Sequence, residues 1–356
     1  MLPRWTWIFP LLALAMIGAK FLHMVDPTNV IVAIAAAALL GGSVFSAVHH
    51  AEIVALRIGE PFGSIVLAVA VTVIEVSLIV SIMFTTEGGG AEIARDTVFA
   101  ALMIVLNGVV GICLLIGGLR YHEQLFNVGG ASGALVVLGT LATLALILPN
   151  YTEAVPGPVY STAQLLVVGA ASLALYGLFL FVQTVRHREY FLDAGDPAGD
   201  HPVPSFKTFL VSSVLLLVSL VSVILLAKTL SPMVEAGVMA AGLPAAFVGV
   251  VIAAVVLLPE GLSAFRAAKA DRLQGALNLA LGSAIASIGL TIPAVGLVSI
   301  FLGIDLILGL EAEHVVLLTL TLFASVVSLG TGRTTVLQGG VHLVIFGAFL
   351  TIAAIP

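Results

Sequence analysis

The chain contains a series of apolar stretches, and a membrane-spanning helix needs about 20 mainly apolar residues. Only 9% of its 356 residues are charged, and 60% are hydrophobic. A soluble domain carries about 25% charged residues, so the composition excludes a soluble fold. Polar breaks separate eleven predicted spans, at 5–22, 28–48, 62–84, 97–118, 130–149, 161–184, 208–228, 240–265, 273–302, 314–329 and 335–354.

These spans predict an all-α polytopic membrane protein. The ninth span is the least regular, because residues 273–304 carry no charge, which is long for one helix and short for two. Pro293 lacks a backbone N–H and is predicted to kink a single helix at that point. We interpret the stretch as one span. Two helices would give twelve spans and move the C-terminus to the other side of the membrane.

Lysine and arginine in the loops predict the orientation, because cytoplasmic loops are enriched in them. With a cytoplasmic N-terminus, ten basic residues fall in inner segments and three in outer segments. The inner residues are Arg4, Arg57, Arg120, Arg186, Arg188, Lys207, Arg266, Lys269, Arg272 and Arg333. The outer residues are Lys20, Arg95 and Lys228. This bias predicts that the N-terminus is inside and the C-terminus outside.

Residues 186–206 hold much of the polar, turn-forming sequence and predict a cytoplasmic linker between two halves. A solvated connector is the common role of such a loop. The alternative is a regulatory cation sensor, although the carboxylates do not match an EF-hand loop. Its ligands would be Asp193, Asp196, Asp200 and His201.

Two glutamates stand out because each belongs to a long apolar stretch. Glu75 is the only charged residue between Glu60 and Glu87, and Glu260 follows the run AAFVGVVIAAVVLLP. A carboxylate at membrane depth costs roughly 2.5–3.5 kcal/mol on insertion scales and marks an ion or proton pathway by default. Glu75 is predicted near mid-span and Glu260 nearer a boundary. Together they predict one ion site built from two halves.

A weak internal repeat supports the two halves. An arginine–aspartate pair, in either order, opens the helix after each glutamate, at 95–96 and at 271–272. In the predicted topology the Glu75 span runs outward and the Glu260 span runs inward. Equivalent segments that cross in opposite directions are typical of inverted-repeat transporters, whose sites lie near the membrane midplane.

Several neutral groups are candidates to support the two carboxylates. Thr72 lies one helical turn before Glu75. Pro259 frees a backbone carbonyl one turn earlier, and Gly261 allows another segment to approach closely. The remaining candidates are Asn107, Asn278, Ser283 and Ser287. Small and hydroxyl residues are also the usual packing material between membrane helices, so packing explains these four equally well.

Paired carboxylates bind either a cation or protons. Two nearby carboxylates raise each other's proton affinity, and a bound cation reverses that effect. Competition for one such pair predicts a secondary antiporter that carries a cation one way and protons the other. The cation is then cargo and no resident cofactor is expected. The expected partners are membrane lipid, cations and protons. A net charge of −6 spread over loops argues against nucleic acid.

The histidines are predicted to be peripheral. His49 and His50 follow the second predicted span and are interpreted as interfacial loop residues, with pH sensing as the alternative. His314 and His342 are interpreted as packing or boundary residues. Cys113 is the only cysteine, so no intramolecular disulfide is possible.

Three blocks of the sequence stand out, HHAEIVALRIGEPFGSIVLAVAVTVIEVSLIVSIM, VLLPEGLSAFRAAKADRLQGALNLALGSAIASIGLTIP and GTGRTTVLQGGVHL. They resemble the ChaA-type cation/proton antiporters of the calcium/cation antiporter superfamily. The resemblance implies an extra N-terminal helix (1–24), two inverted five-helix repeats (25–185 and 207–356) and a linker (186–206). It also implies exchange of Ca²⁺, or of Na⁺ and K⁺, for H⁺ in a bacterial cytoplasmic membrane. By position, the ion-binding glutamates of the family fall on Glu75 and Glu260.

The sequence departs from the wider superfamily at both glutamates. Broader cation/proton exchangers have Gly-Asn-Ala-x-Glu there, whereas this chain has VTVIE at 71–75 and LLPE at 257–260. Loss of the asparagine carbonyls weakens the expectation of a dehydrated Ca²⁺ site and leaves room for Na⁺ or K⁺. The rival classes are a cation channel, an intramembrane enzyme and a structural subunit. Inverted halves with two key carboxylates favour alternating access, and no H-E-x-x-H motif is present.

Overall fold

The computed structural model describes residues 3–24, 29–59, 62–83, 90–192 and 203–356. These residues form eleven long helices and one pair of two-residue strands. The helices are α1 (Trp5–Phe21), α2 (Val30–Ile58), α3 (Phe62–Met83), α4 (Ile93–Tyr121), α5 (Val128–Tyr151), α6 (Thr162–Arg186), α7 (Phe206–Ala240), α8 (Phe247–Lys269), α9 (Leu273–Leu302), α10 (Ala312–Leu329) and α11 (Val336–Ala354). The strands are β1 (Gln124–Leu125) and β2 (Arg333–Thr334).

The predicted all-helical membrane fold is confirmed. Ten of the described helices, α2 to α11, are long and apolar enough to cross a membrane. Helix α1 has 17 residues and is shorter than these candidates. At 1.5 Å per residue it is about 26 Å long, slightly less than the bilayer core of about 30 Å. The four residues of the proposed cation sensor lie outside the described residues.

Two helices extend well beyond their predicted apolar stretches. Helix α2 continues to Ile58 rather than ending at residue 48, and α7 continues to Ala240 rather than ending at residue 228. Hydropathy detects where a helix meets lipid, and a helix can continue past that point. The interpretation of His49 and His50 as loop residues is therefore wrong, because both lie inside α2.

Helix α9 is a single continuous element, as predicted for the ninth span. Its i→i−4 pattern is interrupted by a π-helical turn at Ser287–Thr291. Pro293 follows at once, near the start of the next α-helical part. Helix α4 has a similar interruption at Ile104–Val109. Such π-bulges occur often at functional sites.

The described chain forms two compact units, and the first comprises Met1–Gly90 and Asp200–Val248. It contains α1, α2, α3 and α7. Pro10 has no N–H, so the Thr6 carbonyl four residues earlier lacks its usual helical donor. His50 Nε2 donates to that carbonyl at 3.1 Å, and the Ser46 hydroxyl also donates to it. The Thr6 carbonyl, which Pro10 leaves without a helical donor, thus links α1 to α2 through hydrogen bonds.

The second unit comprises Ala91–Gly199 and Gly249–Pro356. Loops from the two halves of the sequence pair at both ends of α4. Beyond the end of α4, β1 pairs antiparallel with β2. Before its start, the Ile307 N–H donates to the Ala91 carbonyl, and Ile307 also forms an antiparallel bridge with Val159. In the β1–β2 pair and in the Val159–Ile307 bridge, the loop after the third helix of one repeat meets the loop after the fourth helix of the other. This is the pattern that inverted repeats produce.

Candidate cation-binding site

The two glutamates occupy the same register in their helices. Glu75 lies thirteen residues after Phe62, the first residue of α3 (75 − 62). Glu260 lies thirteen residues after Phe247, the first residue of α8 (260 − 247). The prediction that Glu260 is nearer a helix boundary is wrong, because α8 begins later and ends later than its apolar stretch. Each carboxylate is therefore carried at mid-helix depth.

Glu75 lies on the buried side of α3 in the first unit. Its residue is 2% exposed, and Thr72, one turn earlier, is 9% exposed. The two side chains thus share one face, as the helical spacing predicts. A buried carboxylate and a hydroxyl in a 22-residue apolar helix make a polar patch that lipid does not reach.

Helix α8 remains α-helical through Pro259, Glu260 and Gly261. The described segment is therefore not unwound, although Pro259 still leaves the carbonyl four residues earlier without its helical donor. Gly261 packs closely against α4, because a Cβ there would lie 3.2 Å from Val109 Cγ2 in the π segment of α4.

Helices α8 and α4 run side by side in the same direction within the second unit. A Cβ at Gly249 would lie 2.9 Å from the backbone of Asp96 and Thr97 near the start of α4. Thirteen residues further on, Val109 of α4 meets Gly261 of α8 (109 − 96). Glu260 is thus carried on the helix that borders the π segment containing Asn107.

Asn107 lies in that π segment and is fully buried. Its Nδ2 donates to Thr321 Oγ1 at 2.9 Å and its Oδ1 accepts from His342 Nδ1 at 3.1 Å. His342 Nε2 lies 3.2 Å from Ser328 Oγ. The interpretation of His342 as a packing or boundary residue therefore missed a fully buried polar contact. A histidine inside the last apolar stretch was the available signal, since intramembrane ionisable residues are functional candidates by default.

The three candidates on α9 have different surroundings. Asn278 Oδ1 accepts from Gln274 Nε2 at 2.9 Å, and its Nδ2 donates to the Phe191 carbonyl. Asn278 therefore contacts Phe191, which lies within the predicted linker 186–206. Ser283 is half-buried, whereas Ser287 is buried and begins the π segment of α9. The structure thus does not bring Asn278 and Asn107 into one cluster.

A second polar cluster lies where α4 begins. The Arg95 side chain is 4% exposed and donates to Asp96 Oδ1 at 2.8 Å, to Glu92 Oε2 at 3.2 Å and to the Gly309 carbonyl at 3.3 Å. Glu311 lies 3.9 Å from the same guanidinium. Burial and the neighbouring Glu313 raise the pKa of Glu311, and the guanidinium opposes them. The opening arginine–aspartate pair of α4 is thus a buried ion pair.

No group of three or more histidine, cysteine, aspartate or glutamate residues capable of holding a metal ion occurs among the described residues. Glu75 belongs to the first unit and Glu260 to the second. Their shared ion site, like the ligand roles of Thr72, Pro259, Asn107, Asn278, Ser283 and Ser287, stays a prediction.

The helices define a polytopic membrane protein, and the pairing of its loops fits two inverted repeats. The chain belongs to the sodium/calcium exchanger protein family, whose profile matches residues 28–185 and 211–355. This membership confirms the predicted class, a transporter rather than an enzyme.

Individual proteins agree with the family assignment. The chain is 52% identical to an ionic transporter, y4hA, of Sinorhizobium fredii, over 99% of this chain and 97% of that one. It is 38% identical to the sodium-potassium/proton antiporter ChaA of Escherichia coli, over 96% and 94% of the two chains. Among solved structures, YfkE is 16% identical and superposes with a TM-score of 0.75, covering 99% of this chain and 100% of that one. The last comparison supports the fold.

Proposed function

We propose that this protein exchanges a cation, Ca²⁺ or Na⁺ and K⁺, for protons by alternating access. Glu75 and Glu260 are the groups that bind either the cation or the protons. The observation that carries the proposal is the shared register of the two glutamates, thirteen residues into α3 and α8. Intramembrane carboxylates of this kind mark ion and proton pathways.

The coupling follows from electrostatics. Two empty, ionised carboxylates in a low-dielectric site repel each other, so each raises the proton affinity of the other. A cation stabilises the ionised pair, and its departure restores the protonated pair. The empty site with both carboxylates ionised is too costly to switch from one side of the membrane to the other. One cargo therefore leaves only when the other binds. The cation is cargo in this proposal, and the exchange uses no resident cofactor.

A second candidate, Na⁺ or K⁺ exchange with little Ca²⁺ transport, rests on the sequence around the glutamates. VTVIE and LLPE lack the asparagine that supplies a neutral oxygen in the wider superfamily. Fewer oxygen ligands disfavour Ca²⁺, which takes six to eight. ChaA of Escherichia coli, at 38% identity, is named a sodium-potassium/proton antiporter.

The proposal includes a location and an orientation. The chain works in a bacterial cytoplasmic membrane with its N-terminus inside, because ten loop lysines and arginines then face the cytoplasm and three face outward. Labelling of single cysteines in a Cys113→Ala background tests the orientation. Labelling of residue 188 from outside would reverse it.

Transport by the purified protein in proteoliposomes tests the function. Under one imposed pH gradient, Ca²⁺, Na⁺ and K⁺ fluxes are measured for wild type, Glu75→Gln, Glu260→Gln and Glu52→Gln. Glu52 is a matched control, because it is an exposed glutamate on α2 of the first unit. We expect proton-driven flux of at least one cation, abolished by the first two changes and retained in Glu52→Gln.

Two results would contradict the proposal at different levels. Absence of proton-driven flux for all three cations in wild type would refute cation/proton exchange. Near-normal flux in either Glu75→Gln or Glu260→Gln would keep the exchange but refute the shared pair. Equal Ca²⁺ and Na⁺ fluxes would reject the selective second candidate.

A further inference from the structure

A buried chain of hydrogen bonds crosses the second unit through three helices. It joins Ser328 of α10, His342 of α11, Asn107 of α4, Thr321 of α10 and Met103 of α4. All five residues are at most 5% exposed. The chain lies inside membrane-spanning helices, where an unsatisfied polar group is costly, so its donors and acceptors have to match.

Met103 determines which groups donate and which accept along this chain of hydrogen bonds. A thioether sulfur accepts hydrogen bonds and cannot donate them. The Thr321 hydroxyl donates to Met103 Sδ at 3.4 Å, which leaves Thr321 Oγ1 as an acceptor for Asn107. Asn107 Nδ2 also lies 3.7 Å from Met103 Sδ. If the Asn107 amide were flipped, its oxygen would face this sulfur with no hydrogen between them.

The amide orientation then fixes the tautomer of His342. Because Asn107 Nδ2 faces Thr321 and Met103, its Oδ1 faces His342 and has to receive a proton from Nδ1. The hydrogen-bond partners of the His342 ring are all uncharged: the Asn107 amide, the Ser328 hydroxyl and the Leu106 backbone carbonyl. A buried imidazolium without an acidic partner is costly. His342 is therefore neutral with its proton on Nδ1, and Nε2 accepts from the Ser328 hydroxyl.

We infer that His342 is a positioning residue that holds the Asn107 amide with its carbonyl oxygen, rather than its NH₂ group, available to a cation. An amide oxygen has two acceptor lone pairs, and His342 occupies one of them. The other remains for the cation that the proposed function places in this protein. Without His342 the amide is free to flip, and its NH₂ group repels the cation. This inference rests on the proposed function.

The tautomer is measured directly by ¹⁵N NMR of histidine-labelled protein at neutral pH. The His342 signals are assigned by their loss in His342→Gln. We expect the neutral Nδ1–H tautomer of His342 in wild type. We expect a smaller population of this tautomer in Met103→Leu and in Thr321→Val. An Nε2–H tautomer or an imidazolium would overturn the inference. This readout does not depend on transport.

The functional effect is measured as the KM and the maximal rate of cation transport in proteoliposomes. Loss of a hydrogen bond that holds a ligand raises the cation KM by at least about fivefold. We expect this increase in His342→Leu and Thr321→Val, with the maximal rate retained. His342→Gln keeps an N–H donor and an oxygen acceptor, so its KM lies nearer that of wild type. His314→Leu is the control, because His314 packs on Phe99 outside the chain.

The outcomes separate this inference from the proposed function. A wild type that transports no cation refutes the proposed function. The NMR result still tests the chain of hydrogen bonds through His342 and Asn107. A wild type that transports normally with an unchanged KM in His342→Leu refutes the positioning role. A lower maximal rate with an unchanged KM would also refute it, because that pattern indicates only a packing role.

Discussion

Helices α4 and α9 hold corresponding places in the two halves of the chain, and each is interrupted by a π segment near its middle. Each packs against the last helix of the other half, α4 on α11 and α9 on α6. The chemistry of the two contacts differs. The middle of α4 is held by the hydrogen bonds of Asn107 and His342, and its start by the buried Arg95–Asp96 pair.

The contact between α9 and α6 depends on shape. Pro293 lies against Gly169, Gly289 against Tyr176, and Gly296 against Leu165 of α6. Its opening residues, Asp271 and Arg272, are exposed, although Asp271 accepts from Gln124. Duplicated architecture therefore conserves the backbone path without conserving what stabilises it. Helix α4, which carries Asn107, is therefore the better candidate for neutral cation ligands beyond the two glutamates.

The largest expected difference lies at the helix starts. Arg95→Ala leaves the Asp96 carboxylate buried without the guanidinium that pairs with it. Breaking a buried ion pair in this way lowers the free energy of unfolding by about 3–5 kcal/mol. Arg272→Ala changes an exposed residue and shifts the free energy of unfolding by less than about 0.5 kcal/mol. Unfolding in detergent micelles measures both. Similar stabilities of the two variants would contradict the difference between the helix starts.

A smaller difference is expected where each helix meets its partner. A Cβ at Gly339 of α11 would lie 2.7 Å from Leu115 Cα and 2.9 Å from the Gly111 carbonyl, both backbone atoms of α4. Gly339→Ala should therefore cost about 1–3 kcal/mol through overpacking.

Gly296→Ala is the matched change on α9. Its Cβ would meet Leu165 side-chain atoms at 3.3 Å, and a side chain can move. We expect a change in the free energy of unfolding of less than about 1 kcal/mol, because the helix propensity of alanine offsets the contact. A Gly296→Ala variant as unstable as Gly339→Ala would show that both contacts are equally tight.

The smallest effect concerns the π segments themselves. A Cβ at Gly289 would lie 3.0 Å from Tyr176 Cβ, whereas one at Gly108 would lie 3.4 Å from the tip of Phe346. Gly289→Ala should destabilise by about 1 kcal/mol, and Gly108→Ala should be neutral or stabilise by up to about 1 kcal/mol. Thermal unfolding of the two variants under identical detergent conditions orders them. The reverse order would contradict the packing account of α9.

Much of the fold could be predicted from the sequence because lipid imposes a length and a composition on each span. Each of the eleven predicted stretches contains one long helix in the described residues, and the ninth is one helix. Hydropathy could not show that α2 continues past residue 48, since Glu52 and Arg57 end the apolar run but not the helix. The His50–Thr6 contact also depends on tertiary packing that no local pattern reveals.

The candidate site was predictable only as single residues. The cost of a buried carboxylate identifies Glu75 and Glu260 without a structure. Asn107 and His342 are 235 residues apart, and nothing in either neighbourhood points to the other. The same holds for Asn278, whose partner is the Phe191 carbonyl. Pairings of this kind follow from how the halves pack.

The central claim is that a cation and protons compete for Glu75 and Glu260. Proton release on addition of cation to the purified protein in weakly buffered detergent, measured from pH 6 to 9, tests it most directly. We predict that cation binding releases protons, that cation affinity falls as pH decreases, and that Glu75→Gln and Glu260→Gln abolish the release. A wild-type cation affinity that is independent of pH, with no protons released, would contradict the account.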